Sequence, residues 1–253
     1  MAEPRSQLAF DRRATLGLLG LGGAALASCG SGAKAAAACL ASPAETRGPF
    51  AADGGSDAGG RLNVLESEGV IRSDIRSSFA GLDGMADGVP LDLSITIVGV
   101  AGGCNTMAGW AVYLWQNDAA GAYSLYDLPR ANYLRGLQQS DDSGMVRFRT
   151  ILPGCYGGRA PHLHFEVYSS AQAAISGEPA VLASQFALPE DACRAVYAED
   201  ARYGGSLDNL ERWNNDRDFV FRDGDADVRE LQTIALAGDP SGFRGTARVG
   251  INY

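Results

Sequence analysis

The chain has 253 residues, of which 46% are hydrophobic and 20% charged, so it can bury one sizeable core and is neither a charged coiled coil nor a disordered acidic tail. Its formal net charge of −9 argues against nucleic acid as the main partner, because neutralising phosphates requires clustered lysine and arginine. The chain has two histidines, His162 and His164. No zinc site can therefore be built on three histidines, and any histidine chemistry is confined to one tripeptide.

The first 28 residues resemble a bacterial export signal. Arg12 and Arg13 precede an uncharged stretch, residues 14–28, that is rich in Leu, Ala and Gly. This stretch is too short and glycine-rich for a permanent membrane span, but it suits the core of a signal peptide. It ends in Leu-Ala-Ser before Cys29, which is similar to a lipobox, and the arginine pair is similar to a twin-arginine signal. We expect residues 1–28 to direct export by the twin-arginine or the Sec route. A lipid on Cys29 would be the only attachment to the membrane of the cell envelope.

The segment after the leader is expected to be a tether that ends in an arm. Residues 29–60 are rich in Ala, Gly and Ser, as in flexible linkers, and the less bland residues 39–50 are expected to pack on the folded domain of residues 61–253. Four further cysteines in an oxidising compartment predict one or two disulfides, and they allow three pairings between which the sequence does not choose. They are Cys39, Cys104, Cys155 and Cys193.

Strand patterns dominate the rest of the chain. Short alternating or aromatic and β-branched runs, separated by Gly and Pro turns, predict strands at residues 91–97, 110–115, 146–150, 162–167 and 246–253. Long helical periodicity is absent, and only residues 207–213 predict a short helix. The fold class is therefore predicted to be all-β, a β-sandwich of two mixed or antiparallel sheets with long active-site loops.

His162 and His164 lie two residues apart on the predicted strand 162–167, so their imidazoles share one face. A Gly- and Pro-rich loop, residues 153–161, comes directly before them, and such loops often present functional groups. Taken alone, the residues leave two interpretations open, a pair of metal ligands or a pair of satisfied histidines. The acidic run at residues 223–227 lacks the glycine of a calcium-binding loop, since Val228 stands at that place, and a solvated turn is expected there.

Six short motifs follow one another between residues 109 and 164. They are Gly-Trp-Ala-Val-Tyr-Leu-Trp at 109–115, Gly-Ala-Tyr-Ser at 121–124, Leu-Arg-Gly at 134–136, Asp-Ser-Gly at 142–144, Pro-Gly-Cys-Tyr at 153–156 and Arg-Ala-Pro-His-Leu-His at 159–164. In this order they resemble the intradiol ring-cleavage dioxygenases, the family of catechol and protocatechuate intradiol enzymes. The resemblance covers residues 85–170, with weaker matches at residues 46–50, Gln185 and residues 246–253. It is closest to the exported, single-domain branch.

The resemblance implies a β-sandwich with one mononuclear, non-haem Fe(III) per chain. The implied metal ligands are Tyr123, Tyr156, His162 and His164. Tyr126 and Tyr133 lie close to Tyr123 in the sequence, but only Tyr123 follows the Gly-Ala of the matching motif. Cys155 departs from the family, which usually has a bulky aromatic residue there; this difference would widen the pocket or supply half of a disulfide.

The resemblance also assigns catalytic roles. Tyr156 matches the tyrosine that leaves the metal when substrate binds and helps to take a catechol proton, while Tyr123 stays bound. Arg159 matches an arginine that stabilises the substrate dianion, and Gln185 a glutamine that lines the oxygen-side pocket. Arg135 and Arg159 are also candidates for binding a carboxylate on the aromatic ring.

The chemistry of the four ligands agrees with this assignment. Phenolate is a hard anion, and a trivalent cation can keep it deprotonated near neutral pH although a free tyrosine has a pKa of about 10. A ferric ion with two phenolates and one hydroxide carries no net charge, which makes a partly buried site tolerable. The expected activity is insertion of both atoms of O2 into a catechol-type aromatic, giving a muconate-type product. A non-catalytic metal- or ligand-binding β-sandwich lipoprotein is the alternative, and a homodimer is left open.

Overall fold

The structure is a computed structural model, and it describes residues 39–55 and 61–253. The predicted signal peptide, residues 1–28, and the predicted lipidation site, Cys29, lie outside these residues. Within the two described ranges, no helix is long and apolar enough to cross a membrane.

One sheet has five strands and is mixed. Its strands are β1 (Pro90–Gly99), β2 (Asn105–Thr106), β5 (Met145–Ile151), β8 (Ala235–Asp239) and β9 (Gly242–Ile251). β5 and β2 pair antiparallel with β1 along one side, β9 pairs parallel with its other side, and β8 pairs antiparallel with β9. Within the described residues, the first and the last long strands, β1 and β9, are therefore neighbours.

The second sheet has four strands and is antiparallel throughout. It consists of β3 (Ala111–Trp115), β4 (Arg135–Gln139), β6 (His162–Tyr168) and β7 (Leu182–Ala187), in the spatial order β4-β3-β6-β7. The predicted class, an all-β sandwich of two mixed or antiparallel sheets, is confirmed, and one sheet proves to be mixed and the other antiparallel.

The apolar core lies between the two sheets. It joins one face of β1 to one face of β6, through buried side chains that include Leu93, Ile95, Leu163 and Phe165. The opposite face of the four-stranded sheet packs against a second cluster that contains Trp115, so side chains on both of its faces are buried. Every residue of β6 is buried as a result.

Four α-helices follow β6, of which the sequence predicted one. They are α1 (Ala171–Ile175), α2 (Glu190–Glu199), α3 (Ser206–Arg212) and α4 (Ala226–Gln232). The predicted helix at residues 207–213 is confirmed as α3. The ten residues of α2 were missed, although two acidic residues in its first turn, Glu190 and Asp191, are a helix-start signal. The acidic run at 223–227 is also more than a solvated turn, because the Asp225 carboxylate caps α4 by accepting a hydrogen bond from the backbone N of Val228.

Residues 39–55 form an arm that lies against the sandwich. Cys39 forms a disulfide with Cys104, whereas Cys155 and Cys193 are free and buried, so the described residues contain one of the one or two disulfides predicted. Further along, the backbone N of Glu45 donates to the carbonyl of Ala183 on β7 at 2.9 Å. The arm covers the outer face of the four-stranded sheet.

Candidate metal centre

β6 places both histidines on the outer face of the four-stranded sheet, away from the core between the sheets. Side chains alternate along a strand, so Leu163 and Phe165 enter the core while His162 and His164 face the arm. Both imidazoles are buried, with 0% and 2% of their surface exposed. The indole of Trp115, on neighbouring β3, stacks on His164 with ring centroids 5.1 Å apart and fixes the plane of that imidazole.

Four donor atoms from three segments of the chain converge beside this face. The Nε2 atoms of His162 and His164 are 2.9 Å apart. Tyr123 Oη lies 3.5 Å from the first and 3.2 Å from the second, and Tyr156 Oη lies 3.4 Å from Nε2 of His162. The structure therefore brings together all four residues that the sequence resemblance assigns to the metal.

The hydrogen bonds of the histidines show which nitrogen carries the proton. Nδ1 of His162 lies 2.6 Å from the carbonyl oxygen of Ala160. A carbonyl can only accept, so Nδ1 carries the proton and Nε2 presents its lone pair to the cluster. Nδ1 of His164 is buried and makes no hydrogen bond within the described part of the chain.

Burial keeps the four groups neutral in the absence of a cation. Desolvation, reinforced by the positive charge of Arg159, lowers the pKa of His162 to about 3, and desolvation with the neighbouring His162 holds the pKa of His164 well below its usual value. Burial, followed by the neighbouring Tyr156, raises the pKa of Tyr123 well above 10, and burial also raises the pKa of Tyr156. The imidazoles are thus ready to bind a metal, whereas the phenols need a cation to lose their protons.

These four residues fit a first-row metal ion. Imidazole nitrogens bind such metals at about 2.0–2.1 Å, so two nitrogens at neighbouring positions of one ion lie roughly 3 Å apart. Two nitrogen lone pairs and two phenol oxygens form a donor set suited to a hard trivalent cation. In residues 39–55 and 61–253, no group of three or more His, Cys, Asp or Glu side chains could hold a metal ion. The centre differs from such groups because half of its donors are phenol oxygens.

The loop between β3 and β4 determines which of its three tyrosines reaches the histidines. The Asp127 carboxylate accepts a hydrogen bond from the backbone N of Tyr123 at 2.8 Å, which closes a tight turn at this residue. Tyr126 turns away and its Oη accepts a hydrogen bond from the backbone N of Ala52 in the arm. Tyr133 donates to Asp118 at 3.0 Å. Of the three tyrosines in this loop, Tyr123 is the one whose phenol oxygen lies beside the histidines.

Arg159 lies at the edge of the cluster. Its Nη2 donates to Oε1 of Gln185 at 2.7 Å, and its Nε donates to Asp218 at 2.9 Å. Its Nη1 lies 3.5 Å from Nε2 of His162. Gln185 stands directly opposite His164 in the pairing of β6 with β7, and it also donates to the carbonyl of Thr46 at 2.7 Å.

The arm provides the cover of the centre. Gly48 has φ of +70°, and a Cβ on it would lie 3.1 Å from Cε1 of His164, so the backbone passes close over that ring. The ring of Phe50 packs on Tyr123 with centroids 4.6 Å apart. The sequence indicated an arm but not these contacts, because local patterns carry no information on what an irregular segment packs against.

Arg135, a candidate for binding a ring carboxylate, is buried and bonded to the protein itself. Its side chain is 0% exposed, and its three nitrogens donate to Ser124 Oγ, to the Ser124 carbonyl and to the Ala51 carbonyl at 2.9–3.0 Å. It joins the Tyr123 loop to the arm, and all three of its guanidinium nitrogens donate within the protein. Of the two arginines considered for a ring carboxylate, Arg159 alone stands at the centre.

Several solved dioxygenase structures resemble the chain. An intradiol ring-cleavage dioxygenase from Tetranychus urticae is 22% identical, with a TM-score of 0.61 over 85% of this chain and 95% of its own. A second dioxygenase is 24% identical, with a TM-score of 0.62 and the same coverage. The dioxygenase domain of a carbohydrate-binding fusion protein from Streptomyces sp. SirexAA-E is 22% identical, with a TM-score of 0.50 over 84% of this chain and 99% of its own.

At these identities the comparison establishes the fold, which is that of the intradiol ring-cleavage dioxygenases. No protein-family model matches the sequence, and no curated protein matches it. The function is therefore inferred from the residues of the site.

Proposed function

We propose that this chain is a non-haem Fe(III) dioxygenase that inserts both atoms of O2 into a catechol-type aromatic and opens the ring between its two hydroxylated carbons. The observation that carries the proposal is the convergence of Tyr123, Tyr156, His162 and His164, whose donor atoms contact one another at 2.9–3.5 Å. When bound, ferric iron would activate the catechol ring toward O2. The product would be a muconate-type diacid.

The two tyrosines differ in burial, and this difference separates their roles. Tyr123 is 1% exposed and packed under Phe50, so it is suited to remain a fixed ligand. Tyr156 is half-buried and precedes two glycines, Gly157 and Gly158, on which an added Cβ would meet no atom within 4 Å. Its loop has room to move, and its Oη is suited to accept a proton from a catechol hydroxyl.

Arg159 is placed to bind the substrate as an anion. Asp218 and Gln185 occupy its Nε and Nη2, whereas Nη1 faces the metal ligands and lies 3.5 Å from Nε2 of His162. Nη1 is thus the nitrogen of Arg159 that would meet a negatively charged oxygen of a substrate at the centre. A fixed positive charge at that point stabilises charge that develops during the reaction without having to reorient.

The protein is also proposed to be exported and held at the membrane only by a lipid on Cys29. The support is the leader pattern of residues 1–28 together with the disulfide between Cys39 and Cys104, since disulfides persist in oxidising compartments. The partners would be a catechol-type aromatic and O2.

Colour and oxygen consumption test the proposal together. Iron-loaded protein should be burgundy because of charge transfer from tyrosinate to Fe(III), and it should consume O2 with members of a panel of catechols. The absorbance of the product distinguishes intradiol from extradiol cleavage.

Two variants sharpen that test. Tyr156→Phe should alter the visible band and abolish turnover, whereas Tyr133→Phe, a neighbouring tyrosine bonded to Asp118, should keep the colour. A colourless, iron-replete wild-type protein would contradict the proposal and favour a non-catalytic binding protein. Unchanged turnover in Tyr156→Phe would show that the proton acceptor is misassigned.

A further inference from the structure

Asp218 is a buried acid beside the centre that none of the sequence motifs contains. It lies between α3 and α4, 59 residues after its partner Arg159, and its side chain is 0% exposed. The segment that holds it also carries Phe219, which is 54% exposed.

Both oxygens of the Asp218 carboxylate are fully used. Oδ2 accepts from Nε of Arg159 at 2.9 Å and from the backbone N of Ala160 at 2.8 Å. Oδ1 accepts from Nη2 of Arg159 at 3.1 Å and from the backbone N of Val220 at 2.9 Å. A carboxylate with four donors cannot rotate, and a two-point pair with a guanidinium fixes the plane of that guanidinium.

Phe219 restrains the same guanidinium from one face. Its ring centroid lies 4.7 Å from Cζ of Arg159. One short segment therefore holds Arg159 by its edge and by its face, and Gln185 adds a third contact through Nη2. Nη1 lies 3.5 Å from Nε2 of His162, so this nitrogen faces the metal ligands.

We propose that Asp218 is a positioning residue, which acts through Arg159 by fixing its guanidinium so that Nη1 faces the substrate oxygen at the metal centre. This inference rests on the proposed dioxygenase function. Asp218 accepts its hydrogen bonds from Arg159 and from two backbone N–H groups rather than from the four metal ligands. The carboxylate also offsets part of the cost of burying the guanidinium beside the metal ligands.

A role in positioning differs from a role in stability in what it does to the reaction. Displacing a substrate-binding group by about 1 Å can cost about 100-fold in rate even when the fold is intact. Asp218→Glu keeps the charge but lengthens the side chain by one methylene, so it shifts the guanidinium. Asp218→Asn removes the charge and one of the acceptors.

The experiment is a double-mutant cycle on the iron-loaded full chain. Asp218→Glu and Asp218→Asn should each lower kcat/KM for catechol about 100-fold while the tyrosinate band of the resting protein stays in place. In the Arg159→Lys background, the same changes at Asp218 should lower kcat/KM by a further factor of less than about three, because the group through which Asp218 acts is already lost. Anaerobic binding of 4-nitrocatechol, followed by its visible shift, should weaken in the same non-additive way.

A matched control separates positioning from general loosening of the segment. Asp225→Ala removes the cap of α4, seven residues further on, and should lower stability without changing kcat/KM. If Asp218 variants that fold as the wild type keep full kcat/KM, or if their effects add to that of Arg159→Lys, the positioning role is wrong.

A readout that needs no activity separates this inference from the proposed function. In metal-free protein, the ¹⁵N NMR signal of Nε–H in Arg159 should be protected from exchange and should lose that protection in Asp218→Asn. If protection is lost in Asp218→Asn but the iron-loaded wild type is inert and colourless, the proposed function is overturned while the pairing of Asp218 with Arg159 stands. Unprotected Nε–H in the wild type would overturn the inference.

Discussion

Two buried thiols show how far the surroundings of a residue can change its chemistry. Cys155 is 3% exposed and Cys193 0% exposed, both inside the apolar core. Burial, followed by nearby acidic groups, raises the pKa of Cys155 to about 12, and burial raises the pKa of Cys193 to about 12 as well. The thiolate is the reactive form, so both residues are inert at neutral pH. The thiol of Cys155 faces the carbonyl of Arg159 rather than forming a disulfide.

We therefore predict that Cys155 and Cys193 resist alkylation in the native protein. Raising the pH from 7 to 9 should increase their labelling by iodoacetamide very little, because a raised thiol pKa keeps the proton on sulfur until the pH approaches 12. Intact-mass spectrometry should show no adduct at these two residues before unfolding and two after unfolding in denaturant without reductant. Adducts on both thiols of the folded protein at pH 7 would contradict their burial.

At the scale of an element, the arm decides the shape of the metal centre. It places Gly48 over His164 and Phe50 against Tyr123, and its Thr46 carbonyl orients Gln185. The left-handed backbone at Gly48 and the close approach to an imidazole both favour glycine. Residues of the arm, which are not metal ligands themselves, thus hold His164 and Tyr123 in place. Contacts of this kind tune metal affinity.

Gly48→Ala should lower iron affinity about tenfold, because the new Cβ displaces the arm or the ring of His164. It should also cost about 1 kcal/mol of unfolding free energy through the backbone alone. The control is Gly81→Ala, since Gly81 has φ of +79° and a Cβ added there would meet no atom within 4 Å. That variant should show a similar loss of stability with unchanged iron binding by competition with a chelator. Equal iron affinities in both variants would show that the arm does not support His164.

At the scale of the whole molecule, the arm and the last described strand are both joined to β1 or to the turn that follows it. β9 pairs in parallel with β1 along nine residue pairs, so the five-stranded sheet includes strands that are far apart in the sequence. The disulfide from Cys39 to Cys104 ties the arm to the turn after β1 and closes a loop of 65 residues. The arm is therefore attached at the end of one sheet and covers the face of the other.

Removing this disulfide should destabilise the protein by about 4 kcal/mol, the loop-closure entropy expected for a loop of this length. The comparison is between wild type and the double variant Cys39→Ser/Cys104→Ser in urea unfolding. Reductant should lower the midpoint of the wild type to that of the double variant and leave the double variant unchanged. A midpoint that is the same with and without reductant in both proteins would refute the prediction.

The sequence was informative wherever chemistry depends on short spacings. The alternation at residues 91–97 predicted β1, and the pair of histidines two residues apart predicted a shared face on β6. The choice of Tyr123 among three tyrosines followed from a motif, and its oxygen is the one that reaches the histidines. The first two inferences succeed because strand periodicity fixes the direction of each side chain locally, whereas the choice of Tyr123 depended on the family resemblance.

Longer-range features were missed or left open for a physical reason. The pairing of the four cysteines, the burial of Arg135 and the partner of Arg159 all depend on segments that are far apart in the chain. α2 was missed although its first turn carried a signal, since its few buried residues do not form a long periodic stripe.

By itself, the sequence determined the fold class, the two-histidine face and the types of residue available as ligands, because these follow from local periodicity and donor chemistry. Only the tertiary structure decided that Tyr123 and Tyr156 meet the histidines, that the arm covers them and that Asp218 holds Arg159. The reason is that a site is a set of distances between segments. Packing sets those distances, and the free energy of packing belongs to the whole sandwich rather than to any one segment.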